Sequence, residues 1–193
     1  MLSKQMRLKL LNFVEDDIAA GDATTALLPK KRVKAVIRTN ETCMLAGIEE
    51  SAFLFEAFDA KATAIHKDGA RIKAGTEVLK IEGSNKTILQ LERIVLNVLA
   101  RMSGVATNCA RAQKIAGKTR VAKTRIALTR KTMPGFNLFD KKAACAAGIE
   151  PHRLDLSEMI LLKENHLVFF NSIADALKKA REKSGGKKIE VEV

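Results

Sequence analysis

The sequence has 193 residues and is 47% hydrophobic, which is enough for one medium-sized domain or two small ones with a core of their own. Its three cysteines are far apart and form no CxxC pair, which argues against a disulfide framework and against a zinc site. Residues 1–11 mix Lys and Arg with apolar residues, and no apolar run approaches the roughly 20 residues of a membrane span. We therefore expect no signal peptide, no membrane partner and a soluble cytoplasmic protein.

The formal charge is +12, an excess that bears on partners more than on fold. Nucleic acid, acidic lipid and small polyanions are all candidates at this point. The stretch from Arg93 to Lys131 contains no Asp or Glu, and its basic residues are Arg93, Arg101, Arg111, Lys114, Lys118, Arg120, Lys123, Arg125, Arg130 and Lys131. Aromatic residues make up only 4%, with no Trp or Tyr, which counts against a single-strand nucleic-acid binder because such proteins stack bases on aromatic rings.

The first half of the chain shows a mixture of helical and strand periodicity. We predict, in order, a helix over residues 1–15, an acidic loop Glu15–Thr25, a strand Lys34–Thr39, a helix Glu49–Phe58, strands Ala62–His66 and Glu77–Ile81, a long amphipathic helix Lys86–Met102, and a second helix from about Thr107 to Ala116.

After about residue 105 short apolar strands alternate with helices, which indicates βα units on a parallel sheet. We predict strands Arg125–Leu128, Met159–Leu162 and Lys188–Val193, and helices Phe136–Ala147 and Ser172–Lys183. The residues from 106 onward leave room for about three βα units of about 30 residues each, whereas a closed eight-stranded barrel takes about 250 residues. The sequence is thus expected to stop in the middle of a fold.

The strongest local signal is Thr129-Arg130-Lys131-Thr132-Met133-Pro134-Gly135, between a predicted strand and a predicted helix. Ligands of parallel βα folds bind at the C-terminal ends of strands. There Arg130 offers a planar fork for a carboxylate or phosphate, and Lys131 offers a point charge. A solvated basic turn is the alternative.

A second signal combines His152 and Arg153 with Lys163, which ends the strand Met159–Leu162. Two strand ends would then each present a cation. A structural role for His152 is about as probable on the residues alone.

Two further signals are weaker. Arg93 stands among apolar residues of the long helix, where an arginine at the rim of the core is the simpler interpretation. Glu190 and Glu192 alternate with apolar residues, so both carboxylates should face the same side of the last strand. They could pair with the cations above or lie on a half-exposed edge strand.

Taken together, these segments resemble those of the quinolinate phosphoribosyltransferases, also called carboxylating nicotinate-nucleotide pyrophosphorylases. The resemblance extends over essentially all of the chain and rests on GDATT (Gly21–Thr25), AGIEE (Ala46–Glu50), LERIVLNVLARMSGVAT (Leu91–Thr107), TRKTMPGFNLFDKKA (Thr129–Ala143), PHRLDLSEMILLKENHL (Pro151–Leu167) and IEVEV (Ile189–Val193).

The resemblance implies an α/β fold: an N-terminal α+β sandwich domain over residues 1–105, and the first part of an open α/β barrel over 106–193. It also implies that a pyridine dicarboxylate is surrounded by Arg93, Arg130, His152, Arg153 and Lys163. Thr129, Lys131 and Glu192 would line the same pocket and meet the phosphoribosyl donor, with Lys131 and Glu192 as the catalytic pair. Arg93 would come from a partner subunit, so the site would need a homodimer or a higher homo-oligomer.

The implied reaction joins quinolinate to phosphoribosyl pyrophosphate and releases nicotinate mononucleotide, pyrophosphate and carbon dioxide, a glycosyltransferase step of NAD synthesis. Mg²⁺ would accompany the donor, and we expect no resident metal site and no nucleic-acid partner. Alternatives are a catalytically inactive truncated remnant that acts in binding or dimerisation, a paralogue of the type found in molybdenum-transport operons, and a basic nucleic-acid-binding protein. We expect the 193-residue chain to bind quinolinate but to turn over poorly, because the family's phosphate-binding loops lie beyond Val193.

Overall fold

The computed structural model describes residues 2–117 and 125–192. They belong to two compact units: Met1–Leu128 with Thr132–Pro151, and Thr129–Lys131 with His152–Val193. Lys118, Arg120 and Lys123 of the predicted basic stretch, and Val193 of the predicted last strand, lie outside the described residues. None of the helices described is long and apolar enough to cross a bilayer.

The first unit contains helices and short antiparallel strands. Its elements are α1 (Lys4–Ile18), α2 (Ala23–Ala26), β1 (Arg32–Arg38), β2 (Cys43–Met44), α3 (Ile48–Ala57), β3 (Lys61–Ala64), β4 (Arg71–Ile72), β5 (Glu77–Ser84), α4 (Asn85–Ala116) and α5 (Asn137–Ala146).

An antiparallel sheet of order β1-β5-β3 provides one layer of this unit. The central strand β5 buries Val78, Leu79 and Ile81, and these residues join one core with apolar residues of α1, α3, α4 and α5. Phe55 of α3 is fully buried, whereas Phe53 and Phe58 are half-buried against the same core. These phenylalanines therefore contribute to the core from the helix predicted over Glu49–Phe58.

The predicted pair of helices before residue 117 is wrong, because α4 runs without interruption from Asn85 to Ala116. Ser103, which lies where a break was expected, exchanges two hydrogen bonds of 3.1 Å with the backbone of Ala46. One turn later, the Thr107 hydroxyl accepts from Met44 N at 2.9 Å and donates to Ser103 O at 2.7 Å. Small hydroxyl residues here bind a neighbouring backbone segment and leave the helix intact.

The acidic loop predicted over Glu15–Thr25 is largely helical. Helix α1 continues to Ile18, and the short helix α2 follows at Ala23. Asp22 caps α2 by accepting from Thr24 N and Thr25 N, both at 3.0 Å, which satisfies two of the free N–H groups at a helix start.

The predicted strand Arg125–Leu128 is reduced to a single parallel bridge between Ala127 and Glu150. Leu128 N donates to Glu150 O at 2.9 Å, and Glu150 N donates to Ile126 O at 3.0 Å. The segment is therefore extended and paired with its neighbour, but the pairing is too short to count as a strand.

The second unit contains β6 (Ile160–Leu162), α6 (Glu164–Leu167), α7 (Ile173–Lys183) and β7 (Ile189–Val191). The strands β6 and β7 are parallel, as predicted, and pack with Ala176 and Ala180 of α7 around Leu162. The one-turn helix α6 was not predicted. The predicted domain boundary between residues 105 and 106 falls within α4 and stays a prediction.

Helix α5 is joined to α3 by an ion-pair cluster in the first unit. Lys142 Nζ donates to Glu49 Oε2 at 2.6 Å and to Glu50 Oε1 at 2.8 Å. The Glu50 side chain is fully buried, and its Oε2 finds no hydrogen-bond partner among the described residues. Burial raises the pKa of Glu50 even though Lys142 opposes the shift. Lys142 is thus the main compensation for a buried carboxylate.

Replacing this lysine, Lys142→Met, should destabilise the fold by about 3 kcal/mol at neutral pH, because Glu50 is left buried without its counter-charge. Urea unfolding measures the loss. The loss should be smaller at pH 5 than at pH 8. A carboxyl whose pKa is raised in the folded state binds its proton more tightly there than in the unfolded state. Protonation of Glu50 at low pH therefore favours the folded state, and this contribution to the free energy of unfolding is lost as pH rises.

The matched control is Arg32→Met, which removes an exposed ion pair with Glu82 and should cost less than about 1 kcal/mol. Equal losses for the two variants, or a loss at position 142 that does not change with pH, would contradict the assignment of Glu50 as a buried, compensated carboxylate.

Candidate functional site

Seven of the eight predicted site residues belong to the second compact unit, although they come from three separate stretches of sequence. These are Thr129, Arg130, Lys131, His152, Arg153, Lys163 and Glu192. Arg93 belongs to the first unit. The second unit therefore gathers cations and carboxylates that the sequence places far apart.

A positive charge follows β6 and a negative charge follows β7. The register pairs Leu162 with Val191, and Glu192 N extends the ladder by donating to Leu162 O at 2.9 Å. Lys163, the residue after β6, donates through Nζ to Glu192 Oε2. Both side chains remain partly exposed, at 39% and 62%, so they are accessible to a ligand.

The hydrogen bond from Lys163 holds the pKa of Glu192 below its ordinary value. The positive charge of Lys131 lowers the same pKa further. Glu192 is therefore a carboxylate at neutral pH and lies within the electrostatic influence of two lysines, one from each of two segments.

His152 contacts Glu190, which lies two residues before Glu192 on the same side of β7. Its Nε2 is 3.2 Å from Glu190 Oε2, and it donates to that carboxylate whenever Nε2 carries a proton. The backbone of His152 has a φ of 56°, in the left-handed region that costs energy for a residue other than glycine. The paired imidazole thus occupies a strained backbone position within the predicted site.

Arg153 is the most deeply buried cation of the group, with 8% of its surface exposed. Its Nη1 donates to Met159 O at 3.4 Å, a long bond. Of the five N–H donors of a guanidinium, the others have no hydrogen-bond partner among the described residues. These nitrogens are not among the buried atoms that lack a partner, so the guanidinium presents accessible N–H groups that suit a planar anion.

Thr129, Arg130 and Lys131 form an exposed turn, in which Lys131 N donates to the Thr129 hydroxyl at 3.2 Å. Hydrogen bonds from Ser157 hold the pKa of Asp155 below its ordinary value, and the charge of Arg130 adds to that lowering. The turn therefore presents two cations to solvent with its backbone partly fixed.

Arg93 lies on the exposed face of α4, away from the buried positions Leu91 and Val95. This exposure is compatible with the prediction that Arg93 serves a neighbouring subunit. Its role stays a prediction, as do the roles of the seven residues above.

His166 was missed by the sequence reasoning as a functional side chain. Lys163 N donates to His166 Nδ1 at 3.0 Å, and the backbone of His166 donates in return to Lys163 O at 2.8 Å. This reciprocal pair starts α6 and fixes the backbone of Lys163. The available signal was the spacing of three residues, which matches a capping box even though neither residue type is usual for one.

A cavity of about 590 Å³ also lies in the first unit, lined mainly by apolar groups of α1, α4 and the segment before α5, such as Phe13, Val98 and Phe136. No predicted site residue lines it. Its lining lacks the clustered cations that a polyanionic ligand requires.

The Lys163 contact yields a direct test of the charge arrangement. In Lys163→Met the pKa of Glu192 should rise toward its ordinary value, because the hydrogen bond and charge that stabilise the carboxylate are removed. NMR titration of the Glu192 side-chain carbon measures the shift. Lys131→Met should produce a smaller rise, since Lys131 acts only through its charge. Unchanged titration of Glu192 in Lys163→Met would show that the two side chains do not interact.

Comparisons with known families match both parts of the chain. The family model "Quinolinate phosphoribosyl transferase, N-terminal domain" matches residues 22–103, and "Quinolinate phosphoribosyl transferase, C-terminal domain" matches residues 105–193. The N-terminal family model precedes the C-terminal one along the chain, which is the order predicted from the sequence motifs.

Among curated relatives, a probable carboxylating nicotinate-nucleotide pyrophosphorylase of Archaeoglobus fulgidus is 39% identical over 90% of this chain and 65% of its own length. A relative of the same description from Methanocaldococcus jannaschii is 37% identical over 98% of this chain and 67% of its own length. The chain thus spans about two thirds of the length of these relatives.

The fold matches the structure of the nicotinate-nucleotide pyrophosphorylase from Francisella tularensis with a TM-score of 0.92 and 30% identity, over 100% of this chain and 69% of that one. The predicted fold class, an α+β sandwich domain followed by part of an α/β barrel, is confirmed by this match. Two family models in sequence, relatives above 30% identity and the shared fold agree, and the chain belongs to the quinolinate phosphoribosyltransferase family.

Proposed function

We propose that this chain binds quinolinate and takes part in phosphoribosyl transfer from phosphoribosyl pyrophosphate to quinolinate, with decarboxylation to nicotinate mononucleotide. Family membership is the basis for naming the reaction, a pentosyl transfer of NAD synthesis. The proposal concerns the activity of the full-length relatives, of which this chain matches about two thirds.

The observation that carries the proposal is the gathering of cations from three stretches of sequence in one compact unit. Quinolinate carries two adjacent carboxylates on a flat ring, and a dicarboxylate is held best by fixed donors of opposite charge. We assign the carboxylates to Arg130, Arg153 and Lys163. Arg153 supports this assignment, because most of its N–H donors have no partner among the described residues and are accessible to a ligand.

The remaining residues fit the sugar-transfer step. The pyridine nitrogen attacks the anomeric carbon, the C–O bond to pyrophosphate breaks, and positive charge develops on the ribose as its leaving group departs. We assign Glu192 to stabilise that charge, since its carboxylate is ionised at neutral pH. Lys131 and Thr129 would meet the donor's phosphates. The positive charge of the alkylated ring nitrogen then stabilises the electron pair left on the adjacent ring carbon when its carboxylate leaves as carbon dioxide, and that carbon takes up a proton from solvent to give nicotinate mononucleotide.

Mg²⁺ is proposed to enter with the donor. Glu190 and Glu192 are each paired with a cationic or imidazole side chain, His152 and Lys163, and such paired carboxylates are poor metal ligands. This arrangement favours a Mg²⁺ ion bound by the donor's diphosphate, where it neutralises the leaving group.

We further propose that the site is completed in a homodimer or a higher homo-oligomer. Arg93 is the residue that would cross between subunits, and its exposed position on α4 supports this role. We propose no nucleic-acid partner for this chain. The family assignment favours the enzyme over a nucleic-acid-binding protein and over an inactive remnant or paralogue.

Titration of the 193-residue chain with quinolinate by calorimetry tests the proposal. Arg130→Ala should weaken binding by about tenfold to a hundredfold, the range expected for one lost charge-assisted contact of about 1.5 to 3 kcal/mol. The matched control is Arg125→Ala, since Arg125 is an exposed arginine of the preceding segment, ion-paired with Glu150 at 3.0 Å, and its loss should leave affinity unchanged.

Nicotinate lacks the second carboxylate and should bind the unaltered chain more weakly than quinolinate does. The Arg130→Ala variant should bind nicotinate and quinolinate with about equal affinity. Absence of quinolinate binding by a folded chain would sink the proposal. Equal effects of the two arginine substitutions would leave quinolinate as the ligand but remove Arg130 from its site.

A further inference from the structure

Helix α5 carries two consecutive lysines in different surroundings. Lys142 lies in the ion-pair cluster with Glu49 and Glu50. Lys141 points into the first unit and is only 2% exposed, in a helix whose other buried side chains include Phe139 and Ala144. A lysine is rarely buried so completely, because its ammonium group must recover the hydrogen bonds it loses with water.

The ammonium group of Lys141 joins two backbone segments. Its Nζ donates to Leu128 O at 2.6 Å and also donates to Pro151 O. These carbonyls lie at the ends of the two extended segments that the bridge between Ala127 and Glu150 pairs in parallel. Lys141 therefore fixes both segments at the point where their pairing ends.

Each of these carbonyls precedes a predicted site residue. The peptide group that contains Leu128 O also contains the N and Cα of Thr129, and the group that contains Pro151 O also contains those of His152. A peptide group is planar, so a carbonyl fixed in space restricts the orientation of the whole plane. Lys141 thereby sets the direction in which the chain enters the Thr129–Lys131 turn and the His152-Arg153 pair.

The two carbonyls require a long side chain that ends in a hydrogen-bond donor at this position. An apolar side chain of similar length would fill the volume but would leave both carbonyls without the hydrogen bonds that Lys141 donates. The chain thus has a side chain that is costly to bury at a position from which it reaches both carbonyls.

We propose that Lys141 is a positioning residue of the anion site. It holds the segments that carry Arg130, Lys131, His152 and Arg153 at a fixed separation, without touching the ligand itself. This inference rests on the proposed function for the identity of the ligand, but its structural part concerns the backbone alone.

The first experiment compares quinolinate affinity in Lys141→Met and Lys142→Met, by calorimetry at a temperature where circular dichroism shows both folded. Lys141→Met should weaken binding by about tenfold to a hundredfold, the range expected when one charge-assisted contact with the ligand is lost. Lys142→Met should bind like the unaltered chain even though it loses the ion pairs that compensate Glu50. An affinity loss confined to position 141 thus cannot be a consequence of lower stability. Equal affinity in both variants would overturn the inference.

Lys141→Arg keeps the charge and at least two donors, so its affinity should fall between that of Lys141→Met and the unaltered chain. Should Lys141→Met not fold, Lys141→Arg is compared with Lys142→Arg. The inference then requires weaker binding in the former alone, and equal binding in the two contradicts it.

The second experiment measures amide hydrogen exchange without any ligand, so it is independent of the proposed function. Lys141→Met should speed exchange at residues 128–131 and 152–153, while amides of β5 and α3 stay protected. If the unaltered chain fails to bind quinolinate, the proposed function fails and this measurement alone decides the role of Lys141. Unchanged exchange at both segments would refute it.

Discussion

The parallel pairing of β6 with β7 is the constraint on which the candidate site depends. Its register places Lys163 and Glu192 together after the two strands, and it puts Glu190 on the same face as Glu192. A shift of one residue would turn both carboxylates to the opposite face. His152 would then lose its partner, and Lys163 would stand near Lys131 without an intervening negative charge. The backbone ladder thus decides whether neighbouring cations are compensated.

Much of the fold followed from periodicity, since most predicted helices and strands are present within a few residues of their expected limits. The alternation of Glu190 and Glu192 predicted a shared face, and the structure gives each carboxylate a partner. The site residues were harder to predict from the sequence alone. Single Arg, Lys and His residues are common on solvated surfaces, and only their combined resemblance to a family selected them.

The wrong predictions have local causes that no short pattern reveals. A break was predicted between Met102 and Thr107, but Ser103 and Thr107 use their hydroxyl groups to bind the backbone of Ala46 and Met44 within a continuous helix. The left-handed backbone of His152 is not indicated by its residue type, and the buried Lys141 has its backbone partners 13 and 10 residues away in the sequence. Lysine in an amphipathic helix is ordinarily read as solvent-facing, so Lys141 gave no sign of its two backbone partners.

The continuity of α4 has a consequence for how this sequence can vary. Arg93 and Ser103 lie ten residues apart on one helix, a separation of about 15 Å along the axis. Inserting or deleting a single residue between them would rotate Arg93 by about 100° relative to the hydroxyl groups that bind Ala46 and Met44. Substitutions on the exposed face leave that angle unchanged. The helix should therefore tolerate changes of residue type far better than changes of length, because α4 fixes both the distance and the rotation angle between Arg93 and Ser103.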